Sequence, residues 1–187
     1  MSVGKLLVAA VLCSTGLGLY AQAQHRLSPN NLAPFVPTPE PVVIKMLEAA
    51  ELKPGELLYD LGCGDGRILF MAVQKFGARA VGVEISSKLV RQTGEKAAAL
   101  GLQNQVKVVE GNLLEVDIRD ADVVTLYLQR LTNEKLKPIL KKQLRPGARV
   151  VSHDYEIMGW RPARIEKVFV YQRPHVIYVY RMPPVEQ

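Results

Sequence analysis

Hydrophobic positions along this chain alternate between short continuous runs and helical spacing, which predicts strands and helices in turn. Pro41 suits a first helical turn, and Val42, Val43, Met46, Leu47 and Ala50 then recur at helical intervals until Lys53-Pro54-Gly55 stops them. A strand follows over residues 56–61 and breaks into glycines at alternate positions, Gly62, Gly64 and Gly66. Ile68, Leu69, Ala72, Val73 and Phe76 form the next amphipathic helix, closed by Gly77. Residues 80–84 are a second strand ending in an acid. Ser86 or Ser87 caps a helix that runs to about Leu100, where Gly101 ends it.

Third and fourth strands are expected over residues 106–110 and 122–126, and a helix over 132–144 that Pro138 should kink or restart. Its lysines read as a solvated face. A fifth strand at 149–152 precedes a hairpin of strands 167–171 and 176–181 around Gln172-Arg173-Pro174-His175, with Tyr171, Tyr178 and Tyr180 as sheet packing. Strands alternating with helices, then a hairpin, imply an α/β fold: a doubly wound, mainly parallel, seven-stranded sheet with an antiparallel C-terminal hairpin.

The first residues follow a different pattern. Lys5, an apolar stretch over residues 6–20 and the small-x-small site Ala21-Gln22-Ala23 read as a signal peptide cleaved after Ala23, which exports the domain to the periplasm or the exterior. If retained, the same stretch would associate with a membrane and still leave the domain outside. Residues 24–41 carry five prolines and form an extended arm, whose Phe35 and Val36 are expected to lie on the domain. Residues 42–187 make one domain, as a length of 187 residues with 48% hydrophobic residues allows.

The formal charge of +6 is modest, and no basic run is interleaved with aromatics, so a nucleic-acid partner is not expected. Removal of the leader takes away Cys13 and leaves Cys63 alone, so the processed domain has no disulfide. His25, His153 and His175 are scattered, with no CxxC or HExxH, and no metal site is expected.

The glycine loop carries the chemistry. Its spacing lets a ligand approach the main chain closely, at the carboxyl end of a buried strand where open α/β sheets bind ligands. Asp60 and Asp65 beside it would repel a pyrophosphate and suit a ligand bearing an ammonium and a sulfonium. The Lys-Ser/Thr pair of phosphate-binding loops is missing.

With Glu84 at the end of the second strand, Asp60-x-Gly62-x-Gly64 resembles motif I of the class I, Rossmann-like S-adenosylmethionine-dependent methyltransferases. The resemblance implies S-adenosyl-L-methionine as cofactor: Asp60 near its amine, Gly62, Cys63, Gly64, Asp65 and Gly66 along the methionine moiety, and Glu84 accepting from both ribose hydroxyls. Asn112, with Leu113 beside it, falls where that family often has an Asp for the adenine amino group.

Phe35-Val36-Pro37-Thr38, Asp65-Gly66-Arg67-Ile68, Gly82-Val83-Glu84 and Trp160-x-Pro162 make the chain similar to the small lysine methyltransferases that modify the adenine nucleotide translocase and the ATP synthase c-subunit, and to their bacterial relatives. That resemblance implies N-methylation of lysine in a protein substrate, a membrane protein among the candidates. A small-molecule methyltransferase and a non-catalytic cofactor-binding module are the alternatives. Tyr127, His153 and Asp154, with Glu156, are the catalytic candidates at the ends of strands four and five. Trp160 reads as a packing anchor.

Overall fold

The computed structural model describes residues 35–187; the leader with its apolar stretch, the cleavage site and the arm up to residue 34 lie outside the described residues. The elements in chain order are α1 (Glu40–Ala49), β1 (Leu57–Leu61), α2 (Arg67–Phe76), β2 (Arg79–Glu84), α3 (Ser87–Ala99), β3 (Val106–Glu110) and β4 (Val123–Leu126). Then come α4 (Arg130–Gln143), β5 (Arg149–His153), β6 (Trp160–Arg161), β7 (Arg164–Val170), β8 (Arg173–Arg181) and β9 (Val185–Glu186).

Seven strands form one sheet in the order β3-β2-β1-β4-β5-β8-β7. β3, β2, β1, β4 and β5 pair in parallel, and β8 joins β5 and β7 in antiparallel fashion. The order reverses between β1 and β4, so a crevice opens at their carboxyl ends, where ligands bind in such sheets.

Burial on both faces explains the continuous apolar runs, and successive residues feed opposite cores. Val123 and Val151 pack beneath α1 and α2, whereas their neighbours Val124 and Val150 join Leu136 and Leu140 of α4 and Trp160 on the other side. Gly77 closes α2 in the left-handed region at φ 67°, and the Ser86 hydroxyl accepts from Leu89 N at the start of α3. Among the described residues no helix is long and apolar enough to cross a membrane.

Four local expectations need correction. α4 does not restart at Pro138 but runs on as one helical element, with the proline on the exposed side, where water can satisfy the carbonyl that loses its helical partner. The hairpin is longer than its pattern indicates. It turns on Tyr171 and Gln172 at φ 49° and 61°, the left-handed pair of a two-residue hairpin turn, without the Asn-Gly signal that usually marks one. Arg173, Pro174 and His175 therefore belong to β8, and Tyr171 is exposed at the tip instead of packed in the sheet. Finally, β6 and β9 pair in a small second sheet that no pattern predicted. Trp160 of β6 is buried edge-on to Tyr180, which does pack in the core.

Candidate active site

After Asp60 and Leu61 the chain passes through Gly62, Gly64 and Gly66 at φ 86°, 55° and 73° before α2 begins. The loop is fastened from below. Gly62 N and Cys63 N both donate to Val83 O, at 2.8 and 3.0 Å, and Gly64 N donates to Glu84 Oε2 at 2.9 Å. A phosphate-binding loop presents consecutive N–H groups to its ligand, whereas these three point into the protein.

Close packing demands the missing side chains. A Cβ on Gly64 would lie 2.4 Å from the Phe35 ring, one on Gly66 2.4 Å from Thr93 Cγ2, and one on Gly82 2.5 Å from Cys63 Sγ. Cys63 is thus a buried packing residue under the loop, and burial, with Asp60 and Glu84 nearby, pushes its thiol well above the ordinary range.

The two acids flanking the loop differ. Asp65 bonds Arg67 through both oxygens, to Nε at 2.9 Å and Nη2 at 2.6 Å, which holds its carboxyl below the usual range. Arg67 also donates to Thr38 O at 2.9 Å, so this pair fastens the arm to the loop. Asp60 has no such partner. It is 3% exposed, accepts from the Thr125 hydroxyl at 2.8 Å, and is pushed up to about 7 by burial, against the Thr125 bond and with help from Glu84 and Asp65.

Glu84 accepts from Gly64 N and Ser86 N, one oxygen each. Among the described residues neither Asp60 nor Glu84 forms an ion pair. Two buried carboxylates without a cation, around a loop whose Gly62, Cys63, Gly64 and Gly66 N–H groups are already used, fit a positively charged ligand and not a phosphate.

Asn112 closes its own turn: Oδ1 accepts from Leu114 N at 3.0 Å and Nδ2 donates to Glu115 at 2.9 Å. Leu113 is buried in the core on the α4 side. Tyr127 follows β4 with a half-buried ring 4.0 Å from that of His153, and burial and the Asp154 charge raise its hydroxyl. His153 is fully buried at the end of β5, so it reaches no open surface; desolvation pushes it down to about 4. Asp154, at φ 59°, accepts from Val176 N at 2.9 Å and pairs with Arg173 at 2.7 Å. Tyr127, His153 and Asp154 therefore meet as one cluster, with Glu156 half-buried beyond it.

Three participants were missed from the sequence. Thr125 had a faint signal, a hydroxyl within the fully buried run Val123–Leu126. Thr38, whose hydroxyl lies 3.3 Å from His153 Nδ1, stands in the Phe35-Val36-Pro37-Thr38 run but had no signal for a role of its own. Nor did His175, hidden in what read as a loop.

The mixed sheet and the cation-seeking glycine loop at its switch point define a class I methyltransferase that uses S-adenosyl-L-methionine. The family described as the ANTKMT methyltransferase domain matches residues 60–164, and the chain belongs to it. A protein-lysine N-methyltransferase from Saccharolobus islandicus (strain REY15A) is 47% identical over 148 residues, covering 79% of this chain and 92% of its own. The adenine nucleotide translocase lysine N-methyltransferase of Mus musculus is 30% identical, over 87% of this chain and 73% of its own. Among solved structures, an RNA methyltransferase from Salinibacter ruber in complex with S-adenosyl-L-homocysteine superposes with a TM-score of 0.75 at 44% identity, covering 79% of this chain and 94% of that one.

Proposed function

We propose that this enzyme methylates lysine side chains of a protein. Its identity to the Saccharolobus islandicus protein-lysine N-methyltransferase, spanning 92% of that enzyme, carries the reading. Bound S-adenosyl-L-methionine supplies a methyl group made electrophilic by its sulfonium. In this reading Asp60 takes the ammonium, Gly62, Gly64, Asp65 and Gly66 with the main chain of Cys63 line the methionine end, and Glu84 accepts from the ribose hydroxyls. A carboxylate offers about four lone-pair sites, so Glu84 can serve Gly64, Ser86 and the ribose together. Asn112 Oδ1 keeps one lone pair for the adenine amino group after bonding Leu114, and Leu113 supports that turn from the core.

The attacking lysine must be neutral, against an ordinary pKa of about 10.4. Tyr127 is the group the cluster offers to that amine: its half-buried ring walls the approach and sheds water, which favours the uncharged form. Asp154 is engaged by Arg173 and Val176 N, leaving Glu156 as the acid available to accept the proton. Positioning nitrogen against the methyl carbon supplies much of the remaining acceleration.

An RNA substrate is the second reading, favoured by the 44% identity to the RNA methyltransferase from Salinibacter ruber. The purified enzyme, labelled cofactor and, in separate tubes, a membrane-protein extract and total RNA distinguish the two. Acid hydrolysis should release labelled methyl-lysine from protein. Label only in RNA or small molecules rejects the proposal, and cofactor binding without transfer to any acceptor supports a non-catalytic module. Export through residues 1–23 is part of the same proposal, and sequencing the mature N-terminus tests it: a start at Gln24 is expected, and an intact Met1 or Ser2 points to a membrane anchor.

A further inference from the structure

Two histidines that stand 22 positions apart in the chain meet in the fold. His153 Nε2 and His175 Nδ1 are 2.8 Å apart, and Asp154 Oδ2 lies 3.4 Å from the first and 3.3 Å from the second. These three donor atoms form a nearly equilateral triangle. A cation held at about 2.1 Å by imidazole nitrogen and carboxylate oxygen separates its ligands by about 3.0–3.4 Å, so the triangle needs only a small opening of the histidine pair.

From this geometry we propose that His153, His175 and Asp154 are the ligands of a divalent transition cation of the zinc class. Two imidazoles and one carboxylate are the donor set that such borderline cations prefer over magnesium or calcium. The surroundings fit as well. Thr38 Oγ1, 3.3 Å from His153 Nδ1, accepts the proton there and leaves Nε2 with its lone pair toward the triangle, the usual outer partner of a metal-bound histidine. Asp154 Oδ1 is held by Val176 N at 2.9 Å, and the left-handed backbone of Asp154 at φ 59° turns its other oxygen to the histidines.

Without a cation, one N–H bridges the two rings and Arg173 pairs with Asp154 Oδ2 at 2.7 Å. Binding moves the bridging proton of His175 from Nδ1 to Nε2 and displaces the guanidinium, which is 58% exposed and swings into water. Arg173 is thus the competitor for the site. A bound cation would tie β5 to β8 behind the Tyr127 ring and, through Thr38, to the arm that crosses the glycine loop.

The test uses the full-length, tag-free chain, stripped with a chelator. Calorimetric titration with Zn2+ should show one equivalent bound at micromolar affinity or tighter, and Co2+ should produce visible d–d absorption that Zn2+ bleaches. His175→Ala and Asp154→Asn should each weaken Zn2+ binding by about tenfold or more. Arg173→Gln should strengthen it severalfold, because the competing guanidinium is gone. This exposed substitution keeps the test decisive even if the buried variants fail to fold. Absence of Zn2+ binding in the wild type, equal affinity in folded His175→Ala, or weaker binding in Arg173→Gln would each overturn the assignment. None of these readouts depends on methyl transfer, so the site stands or falls separately from the lysine-methylation reading.

Discussion

Replacing Asp60 with Asn changes one charge in the most buried acid of the cofactor site and leaves a side chain that can still accept from the Thr125 hydroxyl. The folded, cofactor-free enzyme holds the Asp60 carboxyl at about 7, against an ordinary 3.8. At 1.36 kcal/mol per pH unit, that difference makes the ionised form on the order of 4 kcal/mol less stable than a fold with a neutral group there. The sign follows from the raised value: the stability Asp60 contributes is complete below 3.8, is lost as pH rises through about 7, and is constant above.

Asn stays neutral throughout, so the variant should exceed the wild type by about 1 kcal/mol at pH 4.5 and about 4 kcal/mol at pH 8. For a chain of this length the larger gap is roughly 10 °C in midpoint. Urea and thermal unfolding of both cofactor-free proteins across that range measure it, and taking the difference cancels the other titrating groups. A gap of the same size at both pH values, or a variant no more stable than wild type at pH 8, refutes the reasoning. The same group sets cofactor affinity. Wild-type binding of S-adenosyl-L-methionine should weaken about fivefold from pH 7 to pH 6, as Asp60 takes up its proton, while Asp60→Asn binds weakly with no such dependence.

Other substitutions test the packing around the loop. Gly64→Ala places a Cβ 2.4 Å from the Phe35 ring at φ 55° and should cost at least 1–2 kcal/mol in urea unfolding; adding Phe35→Ala should recover the steric part but not the backbone part. Gly82→Ala meets Cys63 Sγ at 2.5 Å and Leu69 Cδ1 at 2.6 Å, inside the core, and should destabilise by about 1–3 kcal/mol in the same assay. Tyr180→Phe leaves Ile157 N, now bonded to the hydroxyl at 2.9 Å, unpaired and buried, a loss of about 1–2 kcal/mol measurable as a lower thermal midpoint. Glu56→Gln removes the charge paired with Arg149, whose side chain is 10% exposed, and should cost about 3 kcal/mol by leaving a buried cation uncompensated.

Most of the elements were legible because their causes are contiguous. Helical spacing of Ile68, Leu69, Ala72 and Val73, the unbroken run Val123–Leu126 and stops such as Gly77 each act over a few neighbouring residues. The failures are equally physical. Tyr171 and Gln172 adopt left-handed backbone that their residue types do not advertise, so the hairpin was drawn too short and His175 was left in a loop. Asp65 read as a second free acid at the site, and only the folded loop shows it spent on Arg67, two positions on.

The sequence alone determined that a strand ends in an acid, turns on glycines and is followed by a second strand ending in an acid, because spacing along a chain suffices to state that chemistry. What those groups experience belongs to the tertiary structure. The reversal of strand order brings Thr125 under Asp60, burial raises that carboxyl, the arm lays Phe35 on Gly64, and antiparallel pairing of β5 with β8 sets His153 beside His175. Each of these joins residues distant in the chain, and which distant residues meet depends on sheet order and register, not on any local pattern.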